Sequence, residues 1–187
     1  AFFTNYHVLP HHLHGVELLH GAELNIMDYD GNIDLEEDIL KKLDIAIASL
    51  HPPCIAFGTK EENTRASIKA MENPYVDILG HPGDPRYPID VKEVVLAAKK
   101  TETLIEINNA SLVPDGFRKG SDVVIEQILQ YAMKYDVPVV LGSDAHFYTL
   151  IGDFSYCTAL LEKVGFPDEL IVNTSKDKLK KALKRNK

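Results

Sequence analysis

The stretch Asp44-Ile45-Ala46-Ile47-Ala48-Ser49-Leu50-His51 leads through Pro52-Pro53 into a helical pattern at residues 60–72, and then into Val76-Asp77-Ile78-Leu79-Gly80-His81. Two short apolar runs separated by a segment of helical period read as a β-α-β unit, whose strands pair in parallel and are covered on both faces. Working outward, the alternation continues, with strands expected at residues 16–25, 44–51, 76–81, 103–108 and 137–143 and a further one at 170–173. Helical patterns fill the gaps at residues 35–42, 60–72, 90–100, 121–135, 149–164 and 176–184. Two of them have readable starts: Ser121 followed by the acidic Asp122, and Pro88-Ile89-Asp90 ahead of an apolar-periodic run. The fold class is therefore α/β. No repeat, low-complexity tract or Gly/Ser-rich linker interrupts the pattern, so residues 1–187 are expected to form one domain.

Composition narrows the function classes. With 187 residues and 45% hydrophobic content, the chain can bury a sizeable core. Lys and Arg number 20 against 28 Asp and Glu, a formal charge of −8 with no basic stripe to draw in a polyanion. That balance disfavours nucleic acid as a partner. Cys54 and Cys157 lack a CxxC or other zinc-type spacing, which argues against a disulfide framework or zinc knuckle and fits a reducing cytoplasm. No stretch reaches the roughly 20 apolar residues that cross a bilayer. Ala1-Phe2-Phe3-Thr4-Asn5 lacks the layout of a signal peptide, so a soluble protein with no membrane partner is expected.

In parallel α/β architectures, reactive groups collect at the carboxyl ends of the strands. Five strand ends here are polar. Leu18-Leu19-His20-Gly21-Ala22-Glu23 reaches a carboxylate, the two stretches quoted first end in His51 and His81, and Leu104-Ile105-Glu106-Ile107-Asn108-Asn109 ends in amides. Val139-Val140-Leu141-Gly142-Ser143-Asp144-Ala145-His146 supplies an acid and a histidine. A histidine closing a single strand is ordinarily a hydrogen-bonded loop residue, but that reading does not account for five such ends on one rim. Imidazole and carboxylate together form the ligand set of zinc, manganese or iron, and Asp-x-His in an extended segment puts Asp144 and His146 on one side.

At these residues the chain resembles the PHP superfamily of metal-dependent phosphoesterases, and most closely its YcdX-like phosphatases. The resemblance is carried by Gly21-Ala22-Glu23-Leu24-Asn25-Ile26, His81-Pro82-Gly83-Asp84-Pro85-Arg86-Tyr87, Leu104-Ile105-Glu106-Ile107-Asn108-Asn109 and Leu141-Gly142-Ser143-Asp144-Ala145-His146, which span nearly the whole chain. It implies a distorted, TIM-like (βα)7 PHP barrel with a three-metal centre, zinc first and manganese or iron as alternatives, acting on a small phosphorylated substrate. By the same resemblance, Glu23 is implied as a carboxylate bridging two metals and His51 and His81 as the remaining protein ligands of one of them. Asp144 is implied as a ligand of the second metal and His146 of the third, with Glu23 and Asp144 carrying the catalytic assignment. A bridging carboxylate offsets the repulsion between dications, and clustered ions supply charge where a phosphate needs it.

The family's first two strands carry a His-x-His pair, a further histidine and a Thr-Asp-His element, and none of these is read here in its expected strand context. His7, His11, His12 and His14 fall in a stretch read as loop. The expectation is an N-terminally truncated barrel lacking two βα units, in which only the Glu23, His51, His81 site keeps all its protein ligands. Such a chain is expected to bind metal poorly and to be inactive.

The implied reaction is hydrolysis of a phosphomonoester by a metal-bound hydroxide at a multinuclear centre, with no Ser or Cys nucleophile required. Arg118 and Lys119, just ahead of the helix at residues 121–135, are candidates to hold the substrate phosphate by charge and by the helix N-terminus. A solvated loop is the plain alternative, and Arg86 is a second candidate. Glu106 shares a strand face with Asn108 and is read as a structural or ligand-orienting group. His20 is read as structural, and the two cysteines as ordinary residues. A homo-oligomer is compatible with the sequence, as are zinc and manganese alike. Two other function classes stay open: a phosphodiesterase or exonuclease on short nucleic acids, which a Lys/Arg groove with stacking aromatics would favour, and a metal-binding barrel without activity.

Overall fold

The computed structural model describes residue 5 and residues 8–187; residues 1–4 and His7, which entered the sequence reading, lie outside the described residues. The chain opens with an antiparallel hairpin of β1 (His12–Leu13) and β2 (Val16–Glu17), turned by His14 at φ 49° and Gly15 at φ 79°. Two consecutive left-handed residues give the tight turn whose twist suits a hairpin. The stretch expected as loop is therefore a hairpin, and the strand expected at 16–25 is two elements. The break follows from hydrogen bonding: Leu18 N–H still donates to His11 O at 2.8 Å, whereas His20 N–H turns to the Asp44 carboxylate at 2.8 Å.

Five strands then form one parallel sheet in chain order: β3 (Gly21–Asn25), β4 (Ile45–Ser49), β5 (Ile78–Leu79), β6 (Leu104–Asn108) and β7 (Val139–Gly142). The short α1 (Glu37–Leu40) precedes β4, and α2 (Lys60–Glu72), α3 (Val91–Thr101), α4 (Ser121–Tyr135) and α5 (Ser155–Val164) follow successive strands. With sequential order and right-handed crossovers, every connecting helix falls on the same face. Accordingly α2 packs on α3, α3 on α4 and α4 on α5. The architecture is α/β and compatible with the wall of a TIM-like barrel.

Strand alternation separates two cores. Ala46, Ala48, Leu79, Ile105, Ile107 and Val139 face the helices. Ile78, Leu104 and Val140 face the other way with Ile45 and Ile47, and there α6 (Lys176–Ala182) and the tail cover them with Leu179, Ala182 and Leu183. The tail is fastened at the amino ends of the strands, where Arg185 pairs with the fully buried Asp77 at 2.7 Å. Among the described residues no helix is long and apolar enough to cross a membrane.

Local signals explain where elements match the sequence reading and where they do not. The α2 start is a capping box, Thr59 accepting from Glu62 N–H while Glu62 accepts from Thr59 N–H. Asp90 caps α3 by accepting from Glu93 N–H at 3.1 Å. At α4 Ser121 is not the cap: its hydroxyl donates to Arg118 O at 2.7 Å, and Gly120 at φ 92° makes the turn. Instead of the strand expected at 170–173, two 3-10 turns, Asp168–Leu170 and Val172–Thr174, touch β7 through one bridge, Val139 to Ile171. The side-chain amide of Asn173 takes the place of a strand backbone, accepting from Leu141 N–H at 3.1 Å and donating to Leu141 O at 2.9 Å. The helix expected at 149–164 begins only at Ser155, after a 3-10 turn, Tyr148–Leu150, and a short loop.

Candidate metal centre

Glu23 is registered opposite Ile47, so it lies on the sheet face turned away from the connecting helices. Ser49, two residues further along β4 and fully buried, donates its hydroxyl to Glu23 Oε1 at 2.9 Å. Gly80 makes room for it, since a Cβ there would come within 2.2 Å of Ser49 Oγ. His51 follows with the parity of Ile47 and Ser49. His81 does not: counted from Leu79 it belongs to the helix side. The chain leaves β5 after Leu79, and His81 adopts φ 29°, a left-handed conformation that needs support from its surroundings. That support is Glu106, whose Oε2 accepts His81 N–H at 2.7 Å.

Three ligand atoms then converge. His81 Nε2 is 3.0 Å from Glu23 Oε1 and 3.2 Å from His51 Nε2, and His51 Nε2 is 3.2 Å from the same Glu23 oxygen. Among the described residues this is the one group of three or more His, Cys, Asp or Glu donors lying within 4.8 Å of one another. The imidazoles, His51 foremost, hold the Glu23 carboxyl well below the usual carboxylate range. His51 is set in turn by Asn25, whose Oδ1 lies 2.7 Å from His51 Nδ1. Asp34 accepts from Asn25 Nδ2 at 2.5 Å and from Asn25 N–H at 2.9 Å.

The donor set fits a divalent cation. A tetrahedral zinc with its usual bond lengths spaces its ligand atoms about 3.3 Å apart, close to the separations of 3.0, 3.2 and 3.2 Å found here. Two imidazole nitrogens and a carboxylate oxygen suit zinc, manganese or iron.

The other expected site residues are placed differently. Asp144 sits at φ 51°, so the Asp-x-His segment is turned rather than extended, yet the two side chains still lie together, with His146 Nδ1 3.6 Å from Asp144 Oδ1 and 3.0 Å from Asp144 O. The Asp144 carboxylate lies 3.0 Å from Arg118 Nη1, while the His146 side chain is 88% exposed. Neither joins the three-residue group. Arg118, only 6% exposed, also donates to Ser111 Oγ at 3.1 Å; its Nε has no hydrogen-bond partner, with the Asp84 carboxylate 3.7 Å away. Lys119 faces solvent beside Asp115. Arg86 is the more exposed of the two arginines beside Asp84, bound to it through Nε and Nη2, with its guanidinium 5.9 Å from the Phe57 ring and 5.1 Å from the Phe117 ring.

Glu106 is nearly buried, and burial pushes its carboxyl up. Its space is provided by Gly142, where a Cβ would fall 1.9 Å from Glu106 Oε1. His20 serves packing, its Nε2 lying 3.1 Å from Pro10 O and its ring 4.9 Å from that of His11. A cavity of about 760 Å³, lined by Asp44, Tyr75, Lys180 and Arg185 among others, opens at the amino ends of the strands; no member of the three-residue group lines it.

No family model matches the chain. It is similar over nearly its whole length to proteins that bear the name "Probable phosphatase". One from Clostridium novyi (strain NT) is 50% identical over 183 residues, covering 98% of this chain and 74% of the relative. One from Caldanaerobacter subterraneus subsp. tengcongensis is 49% identical over 187 residues, covering 100% of this chain and 73% of the relative. A third, from Acetivibrio thermocellus, is 43% identical over 185 residues, with 99% and 76% covered.

Proposed function

This chain belongs to the family of these probable phosphatases, and on that footing we propose that it is a metal-dependent phosphatase acting on a small phosphomonoester. The observation that carries the metal dependence is the convergence of Glu23 Oε1, His51 Nε2 and His81 Nε2. A divalent cation held there, zinc, manganese or iron, would supply Lewis acidity, an acidified water and charge neutralisation at a phosphoryl group. The likeness to PHP-type phosphoesterases at the same residues supports this reading.

The protein's own groups divide the remaining work. Ser49 fixes the Glu23 oxygen, Asn25 fixes His51, and Glu106 holds the left-handed turn at His81. Arg86 offers a guanidinium at the surface of the loop that begins at His81, and its Nη1 makes no hydrogen bond among the described residues. It is the group best placed to meet a substrate phosphate, with Arg118 behind it on Asp84. The multinuclear form of this proposal adds Asp144 and His146 as ligands. Arg118 already neutralises Asp144, so a further cation there competes with that ion pair.

One feature favours a second reading, a phosphodiesterase on short nucleic acids: an arginine between two exposed phenylalanines, Phe57 and Phe117, is the kind of surface on which bases stack. A screen of phosphomonoesters, dinucleotides and oligonucleotides with added Mn or Zn separates the two. Turnover of phosphomonoesters that disappears in His81→Ala supports the first reading. Turnover of oligonucleotides alone replaces it with the second, and inactivity toward every substrate removes both for this chain.

A further inference from the structure

We propose that Asp34 and Asn25 form a relay that fixes the neutral His51 imidazole with its proton on Nδ1, leaving the Nε2 lone pair aimed at Glu23 and His81. The inference deepens the reading above, on which its consequence for metal binding rests.

The relay follows from which groups can donate. A carboxylate only accepts, so the two Asp34 oxygens take the Asn25 N–H at 2.9 Å and the Asn25 Nδ2 at 2.5 Å. Asp34 N–H returns a bond to Asn25 O at 3.2 Å, which locks the two residues backbone to backbone as well as side chain to side chain. With its NH2 group claimed by Asp34, the Asn25 amide must turn Oδ1 toward His51, and that oxygen lies 2.7 Å from Nδ1. A carbonyl oxygen only accepts, so Nδ1 must carry the proton. In a neutral ring, Nε2 is then a bare acceptor 3.2 Å from Glu23 Oε1 and 3.2 Å from His81 Nε2. An acceptor set against a carboxylate oxygen is an unfavourable contact that a cation between them converts into ligation. The charge pattern of Asp34 is thereby read out two residues away as the tautomer a metal requires. Asn25 and Asp34 are positioning residues; neither contributes an atom to the three-ligand group.

The test reads the tautomer directly. Long-range 15N–1H correlation spectra of the labelled, metal-free chain at about pH 8, above the ordinary histidine range, should show His51 with its proton on Nδ1. Asn25→Ala should return His51 toward the mixture of a free imidazole, whereas the double exchange Asn25→Asp with Asp34→Asn swaps carboxylate and amide and should restore the Nδ1–H form. In parallel, Asn25→Ala should weaken Zn and Mn binding about 10- to 100-fold, and the double exchange should recover it to within about threefold. A parent protein whose His51 carries its proton on Nε2 overturns the proposal, and so does an Asn25→Ala protein with unchanged tautomer and affinity. The parent spectrum decides the matter even where a variant fails to fold. A parent that binds no metal yet shows the Nδ1–H form, lost in Asn25→Ala, leaves the relay standing and removes the metal centre instead.

Discussion

Arg118 Nη1 lies 3.0 Å from Asp144 Oδ2, with the two side chains only 6% and 14% exposed. Breaking an inward-facing pair by deleting one partner leaves the other charge uncompensated, at a cost of about 3–5 kcal/mol. Arg118→Ala is therefore expected to lower stability by that order in urea denaturation. Arg118→Lys should recover only part of it, because a single ammonium cannot reach Asp144 and Ser111 in the same fork geometry. A variant as stable as the parent would show that the pair contributes little.

The depressed Glu23 carboxyl has a defined effect on pH-dependent stability. Its folded value lies below the ordinary 4.5 because in this acid range His51 and His81, with their rings protonated, donate to the ionised form. Below 4.5 the unfolded chain binds the proton more readily, so stability rises with pH through that window and the contribution is complete above it. In chelator, the melting temperature of Glu23→Gln should fall below the parent's at about pH 5–6, below the ordinary histidine range. The gap should close as pH drops below about 4.5. A gap that widens toward acid would reverse the assigned sign.

Gly142 is predicted to be intolerant of any side chain. An added Cβ would sit 1.9 Å from Glu106 Oε1 and 2.8 Å from its Cδ. Glu106 has nowhere to retreat, being 8% exposed and bonded to His81 N–H and Asn108 Nδ2. Gly142→Ala should cost about 1–3 kcal/mol by overpacking and should weaken metal binding through His81. The paired change Gly142→Ala with Glu106→Ala should regain stability without regaining the metal. Chemical denaturation and metal titration of the two variants check this.

What could be read from the sequence divides along a physical line. The β4 strand and α2 were legible because an apolar run and a capping box are local signals, and α2 occupies the expected residues 60–72. Glu23 and His51 were legible as rim residues because each continues the alternation of its own strand. His81 was found as a strand-end histidine, although alternation alone assigns it to the wrong face; its left-handed backbone is set by Glu106 from another strand. The same kind of turn at Asp144 bends a segment that the Asp-x-His reading took as extended, although Asp144 and His146 still lie side by side. Ser49, Asn25 and Asp34 were not singled out for the site. Their roles depend on the register that sets Asn25 opposite Ser49 and on a loop folding back, neither of which leaves a periodic trace. The Asn173 amide that replaces a strand at β7 is invisible for the same reason.

The most direct measurement is a titration of the metal-free chain with Zn and Mn, followed by elemental analysis of the dialysed protein. The account predicts one tightly held divalent ion per chain, lost in Glu23→Gln, His51→Ala and His81→Ala proteins that remain folded, and retained in His146→Ala. Binding that survives His51→Ala and His81→Ala, or that depends on His146 alone, would contradict it.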